Sequence, residues 1–113
     1  MNTTPTEPVR IGVVGLGNFG RLHALTLAGL AEANLVALVD VNQSRLDEIH
    51  LHLPTVPRWS TLDEALPEAK AEAWVMATRT ESHIPLAAKI LAAEGFALIE
   101  KPLAESTDSA KIE

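Results

Sequence analysis

The sequence predicts an α/β domain built on a doubly wound, mainly parallel sheet, and three observations carry that expectation. Short apolar runs (9–14, 35–39, 73–77 and 96–99) alternate with longer amphipathic stretches, the order that builds strand–helix–strand units. The first run passes directly into a glycine-spaced turn, Gly15-Leu16-Gly17-Asn18-Phe19-Gly20. The second ends in an acid, Asp40, 20 residues after Gly20.

The first strand is expected over 9–14 and the first helix over 18–31, with Phe19, Leu22, Leu25 and Gly29 along one face. The second strand is 35–39. Asn42 is placed to cap a second helix, whose Leu46, Ile49, His50 and Leu53 follow the i, i+3, i+4, i+7 spacing of a buried face. Pro54-Thr55-Val56-Pro57 is limited to a short edge strand, because proline has no N–H for a central ladder. Ser60-Thr61-Leu62-Asp63 opens a short helix that Pro67 is expected to end. The fourth strand is 73–77. A helix over 81–94 carries Ile84, Ala87, Ala88, Leu91 and Ala92 at helical spacing, with Pro85 in its first turn and Gly95 as its stop. The fifth strand is 96–99. Beyond it, Ser106 or Thr107 would cap a helix that meets the chain end at Glu113 within two turns, too short to be stable alone. The chain is therefore expected to be the N-terminal part of a longer polypeptide, with the sheet stopping before its last strand. Residues 1–8 are polar, with two prolines, and read as a tail; 9–113 read as the domain.

Composition narrows the function. With 113 residues, 47% hydrophobic and 21% charged, the chain reads as one soluble globular domain. A net charge of −6 argues against a nucleic-acid partner. The absence of cysteine excludes disulfides and thiolate metal sites. His50 and His52 have no carboxylate or thiol at matched spacing, His23 reads as structural and His83 as a hydrogen-bonding residue at a helix start, so no metal is expected. No apolar run is long enough to span a bilayer and the start is not a secretory signal. The cytoplasm is the expected location and a membrane is not an expected partner.

The glycine turn carries the chemistry. Strand, G-x-G-x-x-G, helix, strand and acid together form a device for holding a dinucleotide. Gly15 permits the tight turn, Gly17 lets backbone approach a pyrophosphate, and Gly20 lets the helix lie close to the strand. Leu16, Asn18 and Phe19 lie within the same turn and helix start, whose free N–H groups favour a phosphate. Asp40 would accept hydrogen bonds from the adenine-side ribose hydroxyls and repel a 2′-phosphate, which predicts NAD over NADP. Arg45 lies close enough in sequence to soften that repulsion. The competing reading leaves the glycines to the turn alone and Asp40 to a strand end. A second constellation, 77–83 after strand four and Glu100-Lys101-Pro102 after strand five, falls on the same sheet edge, where ligands bind in open parallel sheets.

The stretch from Ala77 through Thr80 to His83, the helix ending at Gly95 and the strand ending in Glu100-Lys101-Pro102 resemble the Gfo/Idh/MocA family of oxidoreductases, over about residues 9–104. Arg79 stands where many members carry proline. The resemblance implies a Rossmann-like cofactor domain in a two-domain enzyme that transfers hydride between a nicotinamide dinucleotide and a sugar, cyclitol or similar polyol. It makes Lys101 the catalytic residue at the reacting hydroxyl and places Glu100 at the nicotinamide-side ribose. Pro102 aims Lys101, and Thr78, Arg79 and His83 line the cofactor cleft. The family's remaining catalytic pair, D-x-x-x-H, comes from a second α+β domain that holds the substrate and usually builds the homo-oligomer. No Asp of this chain (40, 47, 63, 108) is followed four residues later by His. Cofactor binding without turnover is therefore expected of this chain. The alternatives are a non-catalytic nucleotide sensor, resembling the regulatory domains of potassium transport systems, and a vestigial binding module; Glu100-Lys101-Pro102 favours the dehydrogenase.

Overall fold

A computed structural model describes residues 8–78, 83–93 and 95–99. The chain runs β1 (Val9–Val14), α1 (Asn18–Ala28), β2 (Ala33–Val39), α2 (Gln43–His52), β3 (Arg58–Trp59), α3 (Leu62–Ala69), β4 (Ala73–Met76), α4 (His83–Ala92) and β5 (Phe96–Ile99). The sheet order is β3-β2-β1-β4-β5 and every pairing is parallel. β1 leads outward to β2 and β3, and the chain then returns to place β4 on the other flank of β1. The order thus reverses beside β1, which makes a crevice at the C-terminal strand ends.

Strand alternation, shifted once in β2 where the register moves from Ile11–Leu35 to Gly12–Ala37, divides the core between the two faces. Val13, Leu35 and Leu38 pack with Leu16, Ala24, Leu46 and Ile49 under α1 and α2. Val14, Ala37, Val39, Trp74 and Met76 pack with Leu62, Ala65 and Ile90 under α3 and α4. Buried on both faces, the central strands read as continuous apolar runs. Gly12 lies against the Trp74 ring, so that a Cβ there would collide with the ring carbons.

The tertiary structure moves four local expectations. First, α1 stops at Ala28, with the Gly29 N–H donating to the Thr26 carbonyl and the Leu30 N–H to that of Leu27, both at 3.1 Å. Its buried positions are Gly20 and Ala24, because small residues let the helix approach β1, while Phe19, Leu22 and Leu25 are exposed. Second, the edge strand is Arg58–Trp59 and not 54–57. Pro57 contributes only its carbonyl, which accepts from Leu38 N at 3.0 Å, before Trp59 continues the ladder by accepting from Asp40 N at 3.3 Å. Third, Pro67 lies inside α3 and does not end it. It removes one donor, and both it and Asp63, whose carbonyl loses that bond, are exposed to water. Fourth, α4 buries Ile90 and packs the half-buried Leu86 and Ala87 against the same core, leaving Ala88, Leu91 and Ala92 exposed.

On β5, Leu98 pairs with Val75 and Phe96 with Ala73, which places both on the α1–α2 face. Those helices lie over the other flank of the sheet, so Phe96 and Leu98 are 70% and 53% exposed. Among the described residues no helix is long and apolar enough to cross a membrane.

Gly12→Ala is expected to lower stability by about 1–3 kcal/mol, as overpacking does, read as a lower urea midpoint. An unchanged midpoint would mean that the Trp74 ring has room to slide.

Candidate dinucleotide site at the strand ends

The site begins where β1 ends. Gly15 has φ +94°, a conformation in which a side chain is strained. A Cβ there would also lie 2.7 Å from the Ala77 carbonyl oxygen. A Cβ on Gly20 would collide with the carbonyl of Gly15, so these two glycines are required by the turn and by the packing of α1 onto it. Gly17 differs. The nearest atoms to a Cβ there are those of the Arg45 guanidinium, at 3.7 and 3.9 Å, ordinary van der Waals contact. Nothing within the described fold requires Gly17 to lack a side chain.

Gly17 is also the N-cap of α1, and no side chain caps that helix. In α2, Asn42 Oδ1 accepts from Ser44 N at 2.9 Å, and in α3, Thr61 Oγ1 accepts from Glu64 N at 3.3 Å. Of these three N-termini only α1 presents first-turn amides without a capping side chain, in front of a residue that leaves backbone open to approach. Such a terminus favours an anion. Asn18 and Phe19 contribute that first turn, with Phe19 about half exposed.

Asp40 follows β2, is 6% exposed, and joins two turns. Its Oδ2 accepts from Leu16 N at 2.7 Å and its Oδ1 from Asn42 N at 2.8 Å. Sequence reasoning assigned Asp40 to a ribose and missed this second task of tying the glycine turn to the start of α2. The two tasks are compatible, since a carboxylate oxygen accepts more than one hydrogen bond. Arg45 Nη1 lies 3.7 Å from Oδ2.

Gly15, Asp40 and Thr78 meet in one cleft of about 420 Å³, as the order β2-β1-β4 requires. Its other walls include Val41, Leu62 and Pro85, none of which the motif identifies. One signal was available, an apolar residue directly after the acid: Val41 is 85% exposed. Lys89 and Asp63, at 3.0 Å, also line this cleft. A smaller pocket is lined by Leu16, Gly17, Asn18, Arg21, Arg45 and Glu48, with Arg21 and Glu48 paired at 2.6 Å. His83 opens α4. Arg79, Glu100, Lys101 and Pro102 lie outside the described residues. Among the described residues no three His, Asp or Glu side chains group as metal ligands would.

Comparisons with known proteins converge on one family. A family model described as an oxidoreductase family with an NAD-binding Rossmann fold, Gfo/Idh/MocA, matches residues 9–112. The chain is 32% identical over 95 residues to myo-inositol 2-dehydrogenase of Thermotoga maritima, covering 84% of this chain and 28% of that protein. It is 32% identical over 102 residues to UDP-N-acetylglucosamine 3-dehydrogenase of Acidithiobacillus ferrooxidans, covering 90% and 31%. Among solved structures it superposes on scyllo-inositol dehydrogenase from Lactobacillus casei with bound NAD(H) and scyllo-inositol. The TM-score is 0.77 at 27% identity, over 84% of this chain and 28% of that one. The chain therefore spans about three tenths of the length of these relatives.

Asp40→Ala is expected to cost about 1–3 kcal/mol of folding stability, since it strands the buried Leu16 N–H without an acceptor. Asp40→Asn retains one acceptor oxygen and should cost less. Chemical denaturation of both variants checks the order, and equal midpoints for Asp40→Ala and the parent chain would show that water replaces the carboxylate.

Proposed function

Because this chain belongs to the Gfo/Idh/MocA oxidoreductase family, through its NAD-binding Rossmann fold, we propose that residues 9–113 are the cofactor-holding domain of a dehydrogenase. Its substrate class is a sugar, cyclitol or similar polyol. The observation that carries the cofactor assignment is Gly17: an open position at the uncapped start of α1, beside two glycines that the fold itself needs.

In this reading the first-turn amides of α1 receive the pyrophosphate, and the free lone pairs of Asp40 receive the adenine-side ribose hydroxyls. The adenine side of the ligand enters the cleft between Val41 and Pro85. A buried carboxylate already committed to two backbone amides is poorly placed to tolerate a 2′-phosphate, which supports NAD as the preferred dinucleotide. The bound nicotinamide supplies hydride transfer. The chain's own contribution at that end is a proton donor and acceptor, Lys101, at the substrate hydroxyl, with Glu100 on the nearby ribose and Pro102 aiming the lysine. Thr78 borders the cleft, and the resemblance assigns Arg79 and His83 to the bound cofactor as well. These roles rest on the family resemblance and on the topology that brings the C-terminal end of β5 beside that of β4.

Substrate specificity and the second half of the acid–base machinery belong, in this proposal, to a further domain. The inositol and nucleotide-sugar dehydrogenases named above are more than three times the length that they share with this chain, and the sequence contains no D-x-x-x-H. The 113-residue chain is expected to bind cofactor without turning over a polyol.

Calorimetric titration of the chain with NAD and with NADP tests this reading, with saturable binding that favours NAD expected. Gly17→Val should weaken NAD roughly tenfold to several-hundredfold, the equivalent of one or two charge-assisted hydrogen bonds. Its urea midpoint should fall only by the cost of a poorer N-cap, about 1 kcal/mol, because a side chain at Gly17 meets no backbone. Undiminished affinity in that variant removes the pyrophosphate from this turn.

A further inference from the structure

We propose that the outer edge of β5 is a self-association surface, on which a second copy of this chain pairs antiparallel, strand to strand, about a two-fold axis through Ala97. The inference is independent of the dinucleotide site, which lies at the strand ends and not along this edge. Three observations carry it.

The first is the contrast between the two edges of the sheet. β3 is guarded in three of the ways that keep an edge from pairing. It is two residues long, it follows Pro54 and Pro57, and it carries Arg58. β5 is twice that length, and Phe96-Ala97-Leu98-Ile99 contains neither a charge nor a proline. Among the described residues β5 pairs only with β4. Phe96 N donates to Glu72 O at 3.0 Å on the β4 side. Successive residues of a strand turn their backbone groups to opposite sides, so the N–H and C=O of Ala97 face outward.

The second is apolar surface on both sides of that edge. Phe96 and Leu98 are 70% and 53% exposed on one face of the sheet. On the other face α4 packs against β5. Lys89 of α4 turns toward α3, where it meets Asp63 at 3.0 Å. Leu91 follows two residues later, about 200° round the helix. It therefore lies on the flank away from α3, where it is 61% exposed. Lys89 is the single Lys, Arg, Asp or Glu within α4 and β5. The outer flank of these two elements thus presents Leu91, Phe96 and Leu98 and no charged group, and two such flanks meet without desolvating an ion.

The third is symmetry. Ala97, facing outward, stands midway between Phe96 and Leu98. A two-fold axis there makes Ala97 a hydrogen-bonded pair with its own copy, each N–H donating to the other's carbonyl. It sets Phe96 of one copy opposite Leu98 of the other, twice, as non-hydrogen-bonded pairs, in which side chains approach most closely. Paired in this way, the two sheets share their faces. The four side chains gather on the α1–α2 face, and Leu91 of each copy lies on the other. The edge is its own complement, as an isologous interface requires.

The test is sedimentation equilibrium of the 113-residue chain over a concentration series. One strand and one helix flank make a small interface, so a reversible dimer is expected, with a dissociation constant of about 10–100 µM. It should tighten as salt is raised, because each copy carries a net charge of −6. Leu98→Lys places a charge in two equivalent contacts and should weaken the dimer about a hundredfold, tenfold for each copy. Its urea midpoint in dilute solution should stay near the parent's, because Leu98 is already half exposed. Cross-linking reads the register. The chain has no cysteine, and opposed Cα atoms of a non-hydrogen-bonded pair lie about 4.5 Å apart, within disulfide reach. Phe96→Cys and Leu98→Cys should each give little disulfide dimer alone and abundant dimer when mixed. Three results overturn the proposal: a chain that is not dimeric at millimolar concentration, a dimer that Leu98→Lys leaves intact, or a mixture that yields no more disulfide dimer than either cysteine variant alone.

Discussion

The structure depends on one buried carboxylate. Asp40 draws the turn after β1 and the turn after β2 onto a single pair of oxygens, through Leu16 N at 2.7 Å and Asn42 N at 2.8 Å. Without it, the backbone between Gly15 and Gly17 would have to find another partner for a buried amide, and the start of α2 would lose its anchor to the glycine turn. The acid proposed to meet the ribose is thus also what holds this edge of the sheet in shape. A charged group at 6% exposure is costly unless it is hydrogen-bonded, and here two backbone amides satisfy it while the Arg45 guanidinium lies nearby.

From that anchor the three glycines acquire separate tasks. Gly15 takes a backbone conformation that a side chain would strain, and Gly20 gives α1 its close approach to the turn. Gly17 alone is unconstrained by its own chain, and it coincides with the helix terminus that no side chain caps. A fold that caps α2 with Asn42 and α3 with Thr61 leaves α1 open at the point where the sheet reverses its order. Packing explains Gly15 and Gly20 and leaves Gly17 unexplained, which is why an external anion is proposed there.

The packing of α1 shows how the same demand shapes the surface. To sit against β1 and the glycine turn, the helix presents Gly20 and Ala24 inward, which forces its larger apolar residues outward. On the opposite flank the α1–α2 face of β5 is bare at Phe96 and Leu98. Exposed apolar surface of this kind is ordinary at sites where further structure docks, and the longer relatives contain much chain beyond the shared stretch.

Much of this was legible from residue order alone. Strand and helix identities, the N-caps at Asn42 and near Thr61, the glycine turn and the acid at the end of β2 are encoded locally, in periodicity and turn chemistry that act over a few residues. The convergence of Gly15, Asp40 and Thr78 could also be anticipated, because parallel strands with right-handed crossovers carry their C-terminal ends to one edge. Tertiary packing decided the rest. It selected Gly20 and Ala24 over Phe19 and Leu22 as the buried face of α1, set β3 at Arg58–Trp59, kept Pro67 inside α3, buried Asp40 on two amides and brought Arg45 over Gly17. Each of these outcomes turns on neighbours distant in sequence: how closely one backbone may approach another, and which donor a carboxylate finds across the gap between strands. Those distances exist only once the strands have paired.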